Sequence, residues 1–551
     1  MTAVPRHTGA SPGKPDNPDS SERYEIMPTP MNPRLNRRSF LGLSVSAAAA
    51  AALAACSSTP PSADGPRRIM PGDPAIAELE AGRAFTGTTV SQNLTAAPIS
   101  ASVAGKTVST WGYNNGLVAP TIRAKAGDRL RVALKNNLPD PTSIHWHGLA
   151  LRNDQDGVPH VTQDAVASNA DYSYDFRIAH PGTYWYHSHV EMQRERGLYG
   201  ALIVDDPAEK LVYDRDWVIV LDDWLDGVTG TPDEVLKEVS GGMGMGGGSM
   251  PGMDHGSMGG SMGSTPSPSP GSGTHMLMGS RSDFLGGDAG DVRYPYHLFN
   301  GKAPDQAEEF TAKAGEIIRL RIINAAGDTA YRVGIPGRKL TLTHTDGFPV
   351  VHKDVDAVVL GMGERIDALV TVGDGYSPVL ALPEGKTGQS VGFISTGTGK
   401  RPVPATLPIA LDGDVVDGGQ LKADPSVALP SKTPDRTHVL KLTGGMMKYD
   451  WGINGRRFDM NDPLRDAFDI RRGERVEVQF VNETTMWHPM HLHGHTFQVG
   501  RDGARKDTVI VRAGQTVTVV FDADNPGQWL THCHNAYHAE RGMMGVISYV
   551  A

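Results

Sequence analysis

The chain has 551 residues, of which 65 are Gly and 39 are Pro, and a formal net charge of −10 at neutral pH. The length is too great for one hydrophobic core and suggests three domains of about 100–200 residues each. The acidic balance gives no reason to expect a nucleic-acid partner, and turn-rich composition with few helix-like apolar stripes favours an all-β chain.

Asn36-Arg37-Arg38-Ser39-Phe40-Leu41 places twin arginines ahead of an apolar run from Leu41 to Ala55. This is the layout of a twin-arginine export signal, and the run is too short and Ala-rich for a spanning helix. It ends in Leu53-Ala54-Ala55-Cys56, which resembles a bacterial lipoprotein box. Cys56 is then expected to carry lipid and to tether the protein to the extracytoplasmic face of the cell membrane; ordinary cleavage after an Ala is the alternative. Residues 1–56 are read as the signal with a dispensable N-terminal extension, and 57–80 as a polar tether. Only one other cysteine exists, Cys533, so there is no disulfide framework. With Cys56 acylated, Cys533 is a lone thiol, free to act as a thiolate ligand.

Three later segments resemble one another: Ala124–Val132, Ala312–Leu320 and Ile470–Val478. Each is a Gly turn leading into a strand, with an Asn near the strand's end (Asn137, Asn324, Asn482). Self-similarity of this kind marks repeated domains. The expected architecture is three consecutive Greek-key β-sandwich or barrel domains, at 81–207, 212–405 and 425–551. Only the first and third copies run on into His clusters, so the middle domain is expected to hold no metal. Within it, residues 240–279 form a Gly/Ser/Pro-rich insert carrying Met243, Met245, Met250, Met253, Met258, Met262, Met276 and Met278, with His255 and His275. Such a background is flexible. Thioether sulfur suits Cu(I), so the insert reads either as a copper-capturing segment or as a linker whose Met content is incidental.

The His clusters are His145-Trp146-His147-Gly148, His187-Ser188-His189, His488-Pro489-Met490-His491-Leu492-His493 and the stretch from Thr531 to Met543. That last stretch holds a thiol, three imidazoles and a thioether, and His, Cys and a weak axial Met together make the ligand set of a blue-copper site. If Gln528 to His534 is a strand, Cys533 points to one face and His532 and His534 to the other. One covalent path then joins a copper on the Cys side to a metal centre on the His side. Residues 187–200 can be laid over 532–545, which puts Ser188 on Cys533, Gln193 on His538 and Leu198 on Met543. Likewise His145 and His147 fall on His491 and His493, and Thr142 on His488. Two domains thus contribute paired His residues to a shared cluster, and only the last adds a mononuclear site.

At these motifs the chain resembles the multicopper oxidases, in particular bacterial laccase-like enzymes and copper-efflux oxidases. Further echoes are Asp346-Gly347-Phe348-Pro349-Val350, Gly363-Glu364-Arg365-Ile366-Asp367 and Phe458-Asp459-Met460-Asn461. The resemblance implies cupredoxin-like domains and four copper ions. The type 1 copper would be held by His488, Cys533, His538 and Met543, and the type 2 copper by His145 and His491. One type 3 copper would be held by His147, His187 and His534, the other by His189, His493 and His532. It also implies an O2-dependent oxidoreductase that takes single electrons from a reductant and passes them through Cys533 to the cluster, where O2 becomes water. Asp156 matches the family's acidic proton relay near the type 2 copper; a turn-capping role is the alternative. The carboxylate that usually follows the last blue-site His is Ala539 here. Glu540, Glu483, Met460 and Met486 resemble residues that receive cuprous ion, with solvated charge and core packing as the plainer reading. The expected activity is oxidation of Cu(I), phenols or aromatic amines by a monomer serving copper tolerance. A general laccase or ferroxidase, or a copper store without turnover, are the alternatives.

Overall fold

The computed structural model describes residues 66–241 and 274–551; the export signal, Cys56 and residues 242–273 of the Met-rich insert lie outside the described residues. The repeated Gly turns set the plan. Gly127, Gly315 and Gly473 take φ of 87°, 86° and 87°, left-handed backbone that glycine enters without a Cβ clash. The strands that follow them are Arg129–Asn136, Ile317–Asn324 and Arg475–Asn482. Each pairs in parallel with the opening strand of its own domain: Thr89–Val103, Arg215–Trp224 or Arg436–Thr443. Each also pairs antiparallel with a later strand: Asp171–Arg177, Arg365–Thr371 or Thr516–Asp522. The result is three cupredoxin-like domains, built from two four-stranded sheets, two six-stranded sheets, and a six- and a five-stranded sheet in turn.

The repeated Asn closes each strand. Asn136, Asn324 and Asn482 are buried, and their Nδ2 atoms donate to the carbonyls of Val166, Leu360 and Val511 at 2.9, 3.0 and 3.1 Å. Their Oδ1 atoms accept from the N–H two residues on. Orphaning such buried backbone groups costs about 1–3 kcal/mol each. The equivalent residue of the first domain is therefore Asn136 and not Asn137, which points to solvent.

The expected tether is corrected from residue 66 onward. Ile69 N–H donates to Tyr549 O at 2.8 Å and Arg68 bridges to Val550, so the chain lies along the last strand of the third domain. A helix follows at Pro74–Gly82, capped by the Asp73 carboxylate, with Ile76 buried and Glu80 accepting from Arg177 N of the first domain at 2.7 Å. A few apolar residues among charged ones gave little sign of this docking. The cores of the first and third domains are continuous: Trp146 and Tyr186 belong to one apolar cluster with Trp451 and Trp529. Their inner edges carry the histidines.

Candidate metal centre

The third domain's five-stranded sheet places the thiol. Its strand Gln528–Cys533 pairs with His488–Leu492, setting Met490 opposite Cys533 and His491 opposite His532. The Asn535 side chain then caps the helix Ala536–Glu540, accepting from Tyr537 N and His538 N, and this turn brings His538 back over Cys533. Cys533 Sγ lies 3.6 Å from His488 Nδ1 and 3.7 Å from His538 Nδ1, and the two nitrogens are 3.0 Å apart. Met543 is fully buried, and its backbone bonds both Cys533 N and His538 O. Three donor atoms this close, one of them a soft thiolate, fit copper.

The other ring nitrogens of this pair are occupied. His488 Nε2 meets Thr484 Oγ1 at 2.8 Å, and His538 Nε2 meets Asp291 Oδ2 of the middle domain at 3.0 Å. Asp291 also accepts from Tyr449 Oη at 2.5 Å, and Trp451 lies against His538 with ring centroids 4.2 Å apart. The first domain has the same constellation with hydroxyl and amide groups in place of imidazole and thiol: Ser188 Oγ and Thr142 Oγ1 both bond Gln193 Oε1, at 2.8 and 2.7 Å. Hydrogen bonds there join the positions that would hold copper in the third domain.

Behind Cys533 the histidines of two domains interleave. His145 stacks on His493 and His147 on His491, both with centroids 3.8 Å apart. His493 Nε2 and His532 Nε2 stand 3.1 Å apart, and His189 joins them within ligand distance. His145, His147 and His187 form a second group, and His145, His491 and His493 a third. His534 stands somewhat apart. Its ring is 4.9 Å from that of His147 and 5.5 Å from that of His187, but Arg194 Nη1 lies 3.1 Å from its Nδ1.

The hydrogen bonds on the outside of the cluster decide which nitrogens face in. Nδ1 of His145, His187 and His532 bonds a backbone carbonyl, that of Asp156, Ser188 or Cys533, at 2.8–3.0 Å. His493 Nδ1 bonds Asp156 Oδ2 at 2.9 Å. His145 Nε2, His147 Nδ1, His187 Nε2 and His491 Nε2 are buried with no protein partner. Four orphaned imidazole nitrogens converging on one space are what a metal cluster needs. Burial first, and then the neighbouring rings, hold His147, His187, His189, His493 and His532 well below the ordinary imidazole range. The rings are therefore neutral and keep a lone pair for the metal.

Asp156 is fully buried between His145 and His493. The four expected docking residues do not share a site. Met486 is buried in the core, which corrects its assignment to a docking surface. Glu483 pairs with Lys441 at 2.8 Å on the surface, and Met460 is half-buried in a turn. Glu540 lines a cleft of about 30 Å³ with Glu191, Arg194, Glu195, Ala539, His187, His189 and His532. That cleft opens on the His cluster, not on the thiolate, so Glu540 sits on the cluster side. Burial pushes the Glu195 carboxyl up to about 8, and it brings a carboxyl into the cleft where Ala539 has none. Sequence reasoning missed Asp291, Tyr449, Trp451, Arg194 and Asp507. None lies at ligand spacing from a His motif, and Asp291 reaches its partner across a domain boundary.

Sequence profiles described as multicopper oxidase match residues 95–209, 215–378 and 431–550. The chain is 42% identical to Multicopper oxidase MmcO of Mycobacterium tuberculosis, over 94% of this chain and 97% of that one. It is 28% identical to a copper resistance protein A homolog of Pseudomonas syringae pv. tomato, covering 82% and 91% of the two chains. Laccase-2 of Botryotinia fuckeliana matches at 27%, over 80% and 78%. Among solved structures, a multi-copper oxidase from Pseudomonas thermotolerans superposes with a TM-score of 0.60 at 26% identity, covering 84% of this chain and 100% of the other.

Proposed function

The chain belongs to the multicopper oxidase family, and on that footing we propose that it oxidises Cu(I), and with it phenols or aromatic amines, in copper tolerance, using O2 as acceptor. Cys533, with His488, His538 and Met543, would hold a copper suited to taking electrons singly from the reductant, and the imidazole cluster would hold the coppers whose chemistry is the reduction of O2 to water. The protein's part is to place and isolate these steps. Cys533 is joined through its own backbone to His532 and His534, so the thiolate and the cluster share one short covalent path. The Asp156 carbonyl accepts from His145 Nδ1 and its carboxylate from His493 Nδ1, contacts that support a proton-relay role for this residue.

The observation that carries the Cu(I) reading is where the Met-rich insert returns to the fold. Leu277 N donates to Asp291 O at 2.7 Å and Arg293 N to His275 O at 2.8 Å, so the insert's exit is zipped beside Asp291. Asp291 is the residue bonded to His538 Nε2. Thioethers on such a segment deliver a soft cation to the electron-entry side of the protein. Relatives named for copper resistance point the same way. Deleting residues 242–273 is expected to lower kcat/KM for Cu(I) about tenfold or more at limiting copper while leaving a methoxyphenol unaffected. Equal turnover of Cu(I) with and without the insert would instead favour a general laccase or ferroxidase, the reading that laccase relatives support. Fully copper-loaded protein that consumes no O2 with a phenol would mean storage.

We further propose export by the twin-arginine route and a lipid anchor at Cys56, on the strength of the Asn36–Leu41 and Leu53–Cys56 motifs. Cys56→Ala should move the protein from the membrane to the soluble fraction on fractionation; retention in the membrane would refute the anchor.

A further inference from the structure

The middle domain binds no copper in this scheme, yet it reaches the cluster. We propose that Asp507, clamped by Arg365 of the middle domain, is a positioning residue that selects which ring nitrogen His147 and His491 turn toward the metals. Arg365 and Asp507 are both fully buried and form a forked pair, Nη1 to Oδ1 at 2.7 Å and Nη2 to Oδ2 at 2.6 Å. The guanidinium is itself fixed by the carbonyls of Thr183 and Gly363, at 3.1 Å each. One residue thus ties together the first, second and third domains.

Asp507 meets two rings by opposite nitrogens. His147 Nε2 is 3.1 Å from Asp507 Oδ1, whereas His491 Nδ1 is 2.9 Å from the Asp507 carbonyl and 3.3 Å from Oδ1. A neutral imidazole has one N–H and one lone pair. A ring donating from Nε2 leaves Nδ1 for a metal, and a ring donating from Nδ1 leaves Nε2. His147 Nδ1 and His491 Nε2 are the two atoms left without partners. Around the cluster the other outward bonds to carbonyl or carboxylate are made by Nδ1, so His147 differs, and the buried carboxylate beneath it accounts for the difference.

His147, His491 and Asp507 lie close enough to surround an ion by themselves. The forked arginine argues against Asp507 as a ligand, because both of its oxygens already accept charge-assisted bonds. Without Arg365 the carboxylate would be an uncompensated buried charge, free to turn. Gly363 completes the arrangement. At φ +86° its backbone lies so near the rings that a Cβ would stand 2.9 Å from His534 Cδ2 and 3.0 Å from His147 Cε1. The middle domain therefore meets His147 by close contact at Gly363 as well as through the Arg365–Asp507 pair, and it meets His534 by contact alone.

The inference concerns the cluster and is independent of which reductant the protein uses. The test is Asp507→Asn and Arg365→Met, with Arg365→Lys as the conservative variant, each loaded with copper. Readouts are copper per chain, the type 2 electron paramagnetic resonance signal and the near-ultraviolet band of the coupled pair, with the blue band reporting on the fold. The expected result is a wild-type blue band with cluster copper bound about 10–100-fold more weakly and an altered type 2 signal, partly restored in Arg365→Lys. If Asp507→Asn does not fold, the two Arg365 variants decide. Blue protein with full copper and unchanged type 2 and near-ultraviolet signals would overturn the proposal, even if it melted at a lower temperature.

Discussion

Cys533→Ser is expected to yield a folded, colourless protein with its cluster copper in place but no measurable oxidation of Cu(I) or a phenol. The first domain already shows that this strand accepts the change. Ser188 occupies the equivalent position and bonds Gln193, the counterpart of His538. A hydroxyl is a poor substitute for thiolate toward copper, so the site between His488 and His538 loses its strongest ligand. The loss also severs the shared covalent path to His532 and His534. Visible absorption, copper content and O2 uptake check it together. Retained colour with continued O2 uptake would show that the thiolate is not where electrons enter.

Asp156→Asn is expected to slow O2 reduction about 100-fold while leaving reduction of the blue site by substrate at its wild-type rate. The carboxylate is fully buried, bonds His493 Nδ1 at 2.9 Å and lies 3.2 Å from His145 Nδ1. An amide of the same shape keeps the packing but cannot carry a proton inward. Anaerobic reduction of the blue band, followed by its return on mixing with O2, separates the two halves of the cycle. Equal slowing of both halves would assign Asp156 to structure alone.

The convergence of these His and Cys residues was legible in the sequence because paired metal-type donors leave a short-range signature. His-x-His on a strand puts two rings on one face, and the overlay of 187–200 on 532–545 separated the paired rings from the residues unique to the third domain. The three Gly turns announced three domains for a similar reason, since each needs left-handed backbone at one position. What surrounds the ligands was not legible. Asp291, Tyr449 and Trp451 reach the blue site from distant stretches, and no local spacing encodes such an approach. The motif Gly363-Glu364-Arg365 was visible as an echo of the family, but its role depends on contacts with the other two domains. Glu540 lies next but one to a ligand, yet the helix Ala536–Glu540 carries it toward the cleft on the far side. Proximity in sequence misled there because the helix turns the chain between His538 and Glu540.

The histidine cluster draws half its rings from residues 145–189 and half from residues 491–534. A ribosome that has made everything short of His491 has made only the first half, and those four rings have no partners. The oxygen-reducing centre is thus a post-translational assembly, formed only once both ends of its long loop have been synthesised and docked. A product truncated before His491 is thereby denied the chemistry, however well its early domains fold.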